Sequence, residues 1–193
     1  RYSEDFDLLE AMHMNAYRFS IEWSRIEPTE GAWDAEAIAY YKQYIAELKA
    51  RDIEPIVTLV HFTLPVWFAE KGGFEKRSNN RFVTRYAEKI VTELGASVRY
   101  VITINEPEVY AFESYMRQEW PPGQSNRWKT YRVMMNQLSC HKAMAKVIKE
   151  QSPRTKVAIA KNAVHFYPGD DAWLSRVSAF WMQYFQDTFW LKK

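Results

Sequence analysis

Cysteine is almost absent from this chain, with Cys140 the single one in 193 residues. One thiol excludes an internal disulfide framework and a cysteine-based metal set. Its place inside a helical pattern marks it as a buried filler. A reducing compartment is therefore permitted, with the cytoplasm favoured and export left open by the sequence. Glycine is scarce too, at six residues. None of the strand ends carries a G-x-G-x-x-G or P-loop fingerprint, so a nucleotide-binding sheet loses its usual support and no cofactor is expected. His13 and His165 lack companions at metal-ligand spacing, so no metal site is expected either. No apolar run approaches the roughly eighteen residues of a membrane-spanning helix, and no signal-peptide pattern is visible. An excess of one charge is also missing. The 26 Lys and Arg are mixed among 24 Asp and Glu, which speaks against a nucleic-acid partner.

What the chain does have is apolar and aromatic substance, 47% and 16% of its residues. That is enough for an ordinary globular core, and one domain or part of one is expected. Short β-rich runs at 15–21, 54–61, 99–105 and 156–160 alternate with amphipathic stretches of helix length. Ser3 is the expected cap of a first helix that shows Phe6, Leu9 and Met12 on one face. Asp34 caps a second, which carries Ile38, Tyr41, Ile45 and Leu48. Phe82, Tyr86 and Ile90 mark a third, which Gly95 terminates in a left-handed conformation. The longest helix carries Met134, Leu138, His141, Ala145 and Ile148, with His141 assigned to core packing, and a Trp-, Phe- and Tyr-rich helix runs from about 172 onwards.

Strands separated by helical crossovers run parallel, and right-handed crossovers give a doubly wound sheet or a closed barrel. Polar residues at the C-terminal ends of the runs favour the barrel, which keeps its chemistry there: Arg18 and Ser20, then His61, then Asn105 with Glu106. Alternation along 15–21 sets Tyr17, Phe19 and Ile21 toward covering helices and Arg18 and Ser20 toward the barrel mouth. A guanidinium buried there requires an anion, and these strands offer no candidate. The stretch "TINEPE" at 103–108 is the most pointed of these ends. An amide and a carboxylate stand side by side and a proline then turns the chain away. Glu108 is the ordinary, solvated carboxylate of the stretch.

At this point the residues resemble a known family. "NAYRFSIEWSRIEPTEG", "EPIVTLVHFTLPVWFAEKGG" and "VITINEPEVY" are similar, in order and spacing, to three consecutive signatures of the family 1 glycoside hydrolases, the β-glucosidase and β-galactosidase group. The similarity runs from about Tyr2 through "WPPG" at 120–123. It implies a partial (β/α)8 TIM barrel, about strands 2–5 with their helices. Residues 1–193 would form one incomplete glycosidase domain, with the first strand expected before Arg1 and the nucleophile, in a Thr-Glu-Asn-Gly-like motif, after Lys193.

The resemblance further implies retaining hydrolysis of a β-linked glycoside by two carboxylates. Glu106 would be the acid/base that protonates the glycosidic oxygen and later deprotonates water. Asn105 would hold the sugar 2-hydroxyl, His61 another hydroxyl of the non-reducing sugar, and Arg18 would lie against the nucleophile and keep it ionised. Many members have Trp after this histidine, where Phe62 stands here. Trp67 and Trp120 are placed to line the leaving-group subsite, whereas most of Tyr41, Tyr44, Phe82, Tyr86, Phe180 and Tyr184 fall at helical spacing and read as core. With one of two carboxylates in hand, this chain by itself is expected to be inactive. The alternatives are a family 5 cellulase-like retaining enzyme and a catalytically dead, family 1-like binding barrel of the klotho type.

Overall fold

A computed structural model describes residues 2–184. Four parallel strands, β1 (Ala16–Ser20), β2 (Glu54–Val60), β3 (Tyr100–Asn105) and β4 (Lys156–Ala160), pair in the order β1-β2-β3-β4. They are joined by helices α1 (Tyr2–Ala11), α2 (Trp23–Ile26), α3 (Ala35–Ala50), α4 (Val66–Glu70), α5 (Asn80–Leu94), α6 (Pro107–Tyr115) and α7 (Arg127–Gln151). Sequential parallel neighbours of this kind form one arc of a βα barrel, the one of the two architectures left open by the alternation that the polar strand ends favour. The central strands β2 and β3 are mostly buried, while the barrel-facing residues Ala16 and Arg18 of β1 and Lys156 and Ala158 of β4 are exposed.

The helices form where their apolar residues recur. In α3 the Asp34 carboxylate accepts the Ala37 N–H at 2.8 Å, and Ile38, Tyr41, Ile45 and Leu48 are all buried. In α5 Phe82, Tyr86 and Ile90 face the core. Each such side chain contributes on the order of 1.5–3 kcal/mol by leaving water. Tyr86 also acts on the strand ends. Its hydroxyl reaches the carbonyls of Ile21 at 3.2 Å and Leu59 at 3.1 Å, and its ring stacks on Trp23. One core residue of α5 thereby ties together the chain leaving β1 and the chain near the end of β2.

Four expectations are corrected. Ser3 lies inside α1 and accepts a hydrogen bond from Arg51 at 3.0 Å instead of capping. Met12 lies past the end of α1 and is exposed. Gly95 does adopt a positive φ of 55°, but its ψ of −143° is extended, and a 3-10 turn over Gly95–Ser97 follows where a left-handed cap was expected. The buried stripe of α7 is Val133, Gln137, Cys140, Met144 and Ile148, so only Ile148 of the expected stripe is fully buried and Met134, Leu138 and His141 flank it. The shift follows from Gln137 and Cys140, polar-looking residues that the layer against β3 accepts because Gln137 donates to the Pro107 carbonyl at 3.0 Å.

Cys140 is buried, and burial pushes its thiol up to about 12. Residues 161–184 form a separate compact unit. It contains α8 (Trp173–Gln183), and Gln183 accepts the Phe166 N–H at 3.0 Å. The continuation of that helix pattern past residue 184 lies outside the described residues. Among those described, no helix is long and apolar enough to cross a membrane.

Candidate active site

The site is assembled at the C-terminal ends of β1, β2 and β3. Plain alternation from Val101 and Thr103 would turn Asn105 toward the helices. A β-bulge prevents this: Ile102 pairs with Ala158 but Asn105 with Ala160, so β3 carries one extra residue against β4. Asn105 is thereby brought to Arg18 of β1, whose Nη2 donates to Asn105 Oδ1 while its Nε donates to Thr58 Oγ1 at 2.9 Å. With Oδ1 engaged, the amide Nδ2 of Asn105 is the atom left to donate to a ligand hydroxyl.

Arg18 departs from expectation in one respect. Arg18 is an exposed residue whose guanidinium contacts are part-buried rather than buried, and among the described residues its hydrogen-bond partners are neutral oxygens.

Glu106 follows directly. Its backbone is left-handed, with φ 42° and ψ 63°, a conformation that costs a non-glycine residue on the order of 1–3 kcal/mol. Two elements hold it there. The Glu106 N–H donates to the Ala160 carbonyl at 2.8 Å, and its own carbonyl accepts from Val109 at 3.0 Å and Tyr110 at 3.2 Å as α6 begins. Pro107 suits the first helical position, where its missing N–H has no partner to lose. The carboxylate-bearing residue is thus fixed between sheet and helix with its side chain only part-buried. Glu108 is not the solvated residue expected: it is 9% exposed, in the first turn of α6.

His61 sits just beyond β2. Its Nδ1 lies 2.7 Å from Ser20 Oγ, the last residue of β1. Burial first, then the nearby Arg18 charge, holds the imidazole below the usual histidine value, with Glu106 pulling the other way. At pH 7 the ring is therefore neutral.

The next residue turns sharply. Phe62 has φ 70°, and the Thr63 N–H donates to the His61 carbonyl at 2.8 Å, which makes a γ-turn of the strained, positive-φ kind. Thr63 Oγ1 then donates to Glu22 at 2.7 Å, clasping the loop after β2 to the loop after β1. The turn presents the Phe62 ring to His61 at 5.0 Å and to Trp120 at 4.8 Å.

Trp120 and Phe62 form one wall of a cavity of about 560 Å³, which Leu64, Tyr110, Tyr115 and Gln124 also line. Trp67, in contrast, is not part of this wall. Its Nε1 donates to the Glu27 carbonyl at 2.9 Å and its ring packs edge-on against Trp23 and Phe82. It anchors the buried Glu27, which binds Arg85, the Trp23 indole and the Gly31 N–H.

The structure therefore joins Arg18 to Asn105 directly, sets Glu106 beside Asn105 in the chain and within electrostatic reach of His61, and puts Trp120 against Phe62. Ser20, Thr58, Glu22 and Thr63 complete the network, and of these only Ser20 had a sequence signal, its inward place two residues after Arg18. His141 lies elsewhere, in the layer between α7 and β3, where its Nδ1 is 2.7 Å from Thr103 Oγ1. Among the described residues no group of three or more His, Cys, Asp or Glu could hold a metal ion.

A carboxyl, an amide donor, a neutral imidazole and an aromatic wall suit a polyhydroxylated ring with one oxygen to be protonated. The family model described as glycosyl hydrolase family 1 matches residues 1–193. β-Glucosidase A of Thermotoga maritima is 31% identical over 89% of this chain and 39% of its own length. A 6-phospho-β-galactosidase of Lacticaseibacillus casei is 34% identical over 89% of this chain and 36% of its own. The solved structure of a β-glycosidase from Pyrococcus horikoshii superposes with a TM-score of 0.93 at 36% identity, over 99% of this chain and 44% of that one. The chain spans about two fifths of the length of the relatives it matches. On the strength of the family match over residues 1–193 and this arrangement of strands, the chain belongs to glycosyl hydrolase family 1.

Proposed function

We propose that these residues supply the acid/base half of a retaining β-glycosidase, with the nucleophilic carboxylate contributed from outside the 193 residues. Glu106 is the acid/base, Asn105 and His61 bind sugar hydroxyls, Arg18 faces the nucleophile, and Trp120 lines the leaving-group side. The observation that carries the reading is the bulged end of β3. It sets the Asn105 amide, oriented by Arg18, immediately before a carboxylate held in a left-handed backbone conformation.

The substrate is a β-linked glucoside or related β-glycoside. In the first step the nucleophile attacks the anomeric carbon while Glu106 delivers its proton to the departing oxygen. In the second, Glu106 takes a proton from water as that water attacks the glycosyl-enzyme on the same face, so configuration is retained. Asn105 Nδ2 gains strength as a donor to the sugar hydroxyl as positive charge builds on the ring. The exposed position of Arg18 and its neutral partners are consistent with a carboxylate docking there, since a fixed fork pairs best with a bidentate anion.

The test varies the leaving group. With the remaining barrel strands present, Glu106→Ala loses about 10²–10⁴-fold in kcat/KM on an alkyl β-glucoside, the usual worth of a positioned acid. It loses far less on a dinitrophenyl glucoside, whose leaving group needs no proton. Equal losses on the two substrates would sink the acid/base role. The 193-residue chain alone shows no saturable hydrolysis, and finding it would overturn the placement of the nucleophile.

A further inference from the structure

Two histidines in this protein meet a side-chain hydroxyl through Nδ1 at the same distance, 2.7 Å: His61 with Ser20 and His141 with Thr103. The difference lies in where each hydroxyl's one proton can go. Thr103 Oγ1 has a second partner, the Ala158 carbonyl at 3.3 Å, which can only accept. With its proton directed there, its lone pair faces the imidazole, which leaves Nδ1 of His141 as the donor. Ser20 Oγ has no carbonyl of this kind. Among the described residues Nδ1 of His61 is its partner, so no acceptor but the ring competes within the protein for the hydroxyl proton, and donation to Nδ1 would leave the ring proton on Nε2. Among the described residues Nε2 of His61 has no hydrogen-bond partner, and His61 is exposed just past β2 beside Phe62.

We propose that Ser20 is a positioning residue that holds His61 as its Nε2–H tautomer, presenting a donor to the sugar, while Thr103 holds His141 in the opposite, Nδ1–H tautomer. The tautomer assignment is argued from the hydroxyls' other acceptors, and only the sugar contact rests on the proposed function. A neutral ring can be wrong-handed as easily as right-handed. An Nδ1–H ring at position 61 would offer a lone pair where a donor is wanted, so a serine that touches no substrate decides which partner the sugar meets.

The chain contains four histidines, so a long-range proton–nitrogen correlation spectrum of the labelled full chain, taken in mildly alkaline buffer, resolves them. The wild type shows His61 protonated at Nε2 and His141 at Nδ1. Ser20→Ala moves His61 toward a mixture of tautomers and leaves His141 unchanged, and Ser20→Thr restores His61. The same tautomer at both histidines in the wild type, a reading that needs no variant, overturns the proposal. So does a His61 pattern that ignores Ser20→Ala.

With the remaining barrel present, Ser20→Ala lowers kcat/KM about three- to tenfold, as expected for one hydrogen bond, mostly through KM. An unchanged kcat/KM alongside a shifted tautomer overturns the link to the sugar. The spectrum needs no turnover, so the assigned tautomers in this chain together with no glycosidase activity when the remaining barrel is present count against the proposed function alone.

Discussion

The rim of the strands and the layer behind them use the same parts to different ends. At the rim, Ser20 and His61 form a hydroxyl–imidazole pair that opens onto solvent beside Arg18 and Glu106. In the layer, Thr103 and His141 form the same pair between β3 and α7. Burial is the leading cause that holds both rings below the usual histidine value; the next is the Arg18 charge for His61 and the Lys142 charge for His141. Strand alternation and one bulge decide which pair becomes chemistry and which remains packing. The comparison makes a demand: layer residues govern stability, and rim residues govern ligand contact with little effect on folding.

The largest effect that can break it belongs to Tyr86. Its side chain is fully buried and its hydroxyl bonds two strand-end carbonyls, so Tyr86→Ala costs about 3–5 kcal/mol of unfolding free energy, as for other large aromatic truncations. Urea denaturation measures it. Ser20→Ala should stay within about 1 kcal/mol, the worth of one partly exposed hydrogen bond. Similar losses for the two would erase the distinction between layer and rim.

A pH series sharpens the same contrast. His61 and His141 are both held below the ordinary value of about 6.5. Between their folded values and 6.5 the unfolded chain binds more protons, so stability rises with pH across that window and falls on acidification. His141→Gln keeps a polar side chain in the layer while removing the titration. It should flatten the decline in melting temperature between pH 7 and 5 by more than His61→Gln does. A steeper decline in His141→Gln than in the wild type would reverse the sign worked out here.

The smallest effect lies on the outer surface of the layer. Glu93 bonds Lys42 at 2.6 Å and Lys89 at 2.7 Å, which lower its carboxyl to about 2. That contribution is complete above the unfolded glutamate value of about 4.3 and disappears as pH falls through about 2. Because the pair is solvent-accessible, Glu93→Gln costs no more than about 1 kcal/mol at neutral pH, and added salt shrinks the difference. A larger, salt-independent loss would place Glu93 in the core economy of the layer after all.

Much of this was legible in the residues. The βα alternation, the capping by Asp34, the buried faces of α3 and α5 and the placement of polar residues at strand ends follow from local periodicity and turn chemistry, and they stand in the structure. The misses have physical causes. Ser3 reads as a cap because serine is a good one, but Arg51 claims its hydroxyl from 48 residues away. The α7 stripe was displaced because hydropathy ranks Gln137 as polar, while a carbonyl on Pro107 lets the layer bury it. Trp67 looked like a subsite wall from its position in the chain, and its indole N–H instead follows a carbonyl into the core.

The residues alone foretold that strands would alternate with helices, that an amide–carboxylate pair would close the third strand, and that the chain would resemble family 1 glycoside hydrolases. These are matters of local pattern, because dihedral preferences and side-chain periodicity act over a few residues. Only the tertiary structure decided that Asn105 faces Arg18, that Ser20 meets His61 while Thr103 meets His141, and that Phe62 turns onto Trp120. Those outcomes depend on one extra residue in the pairing of β3 with β4 and on a strained turn after His61. Neither has a local signature, since both are stabilised by partners tens of residues away.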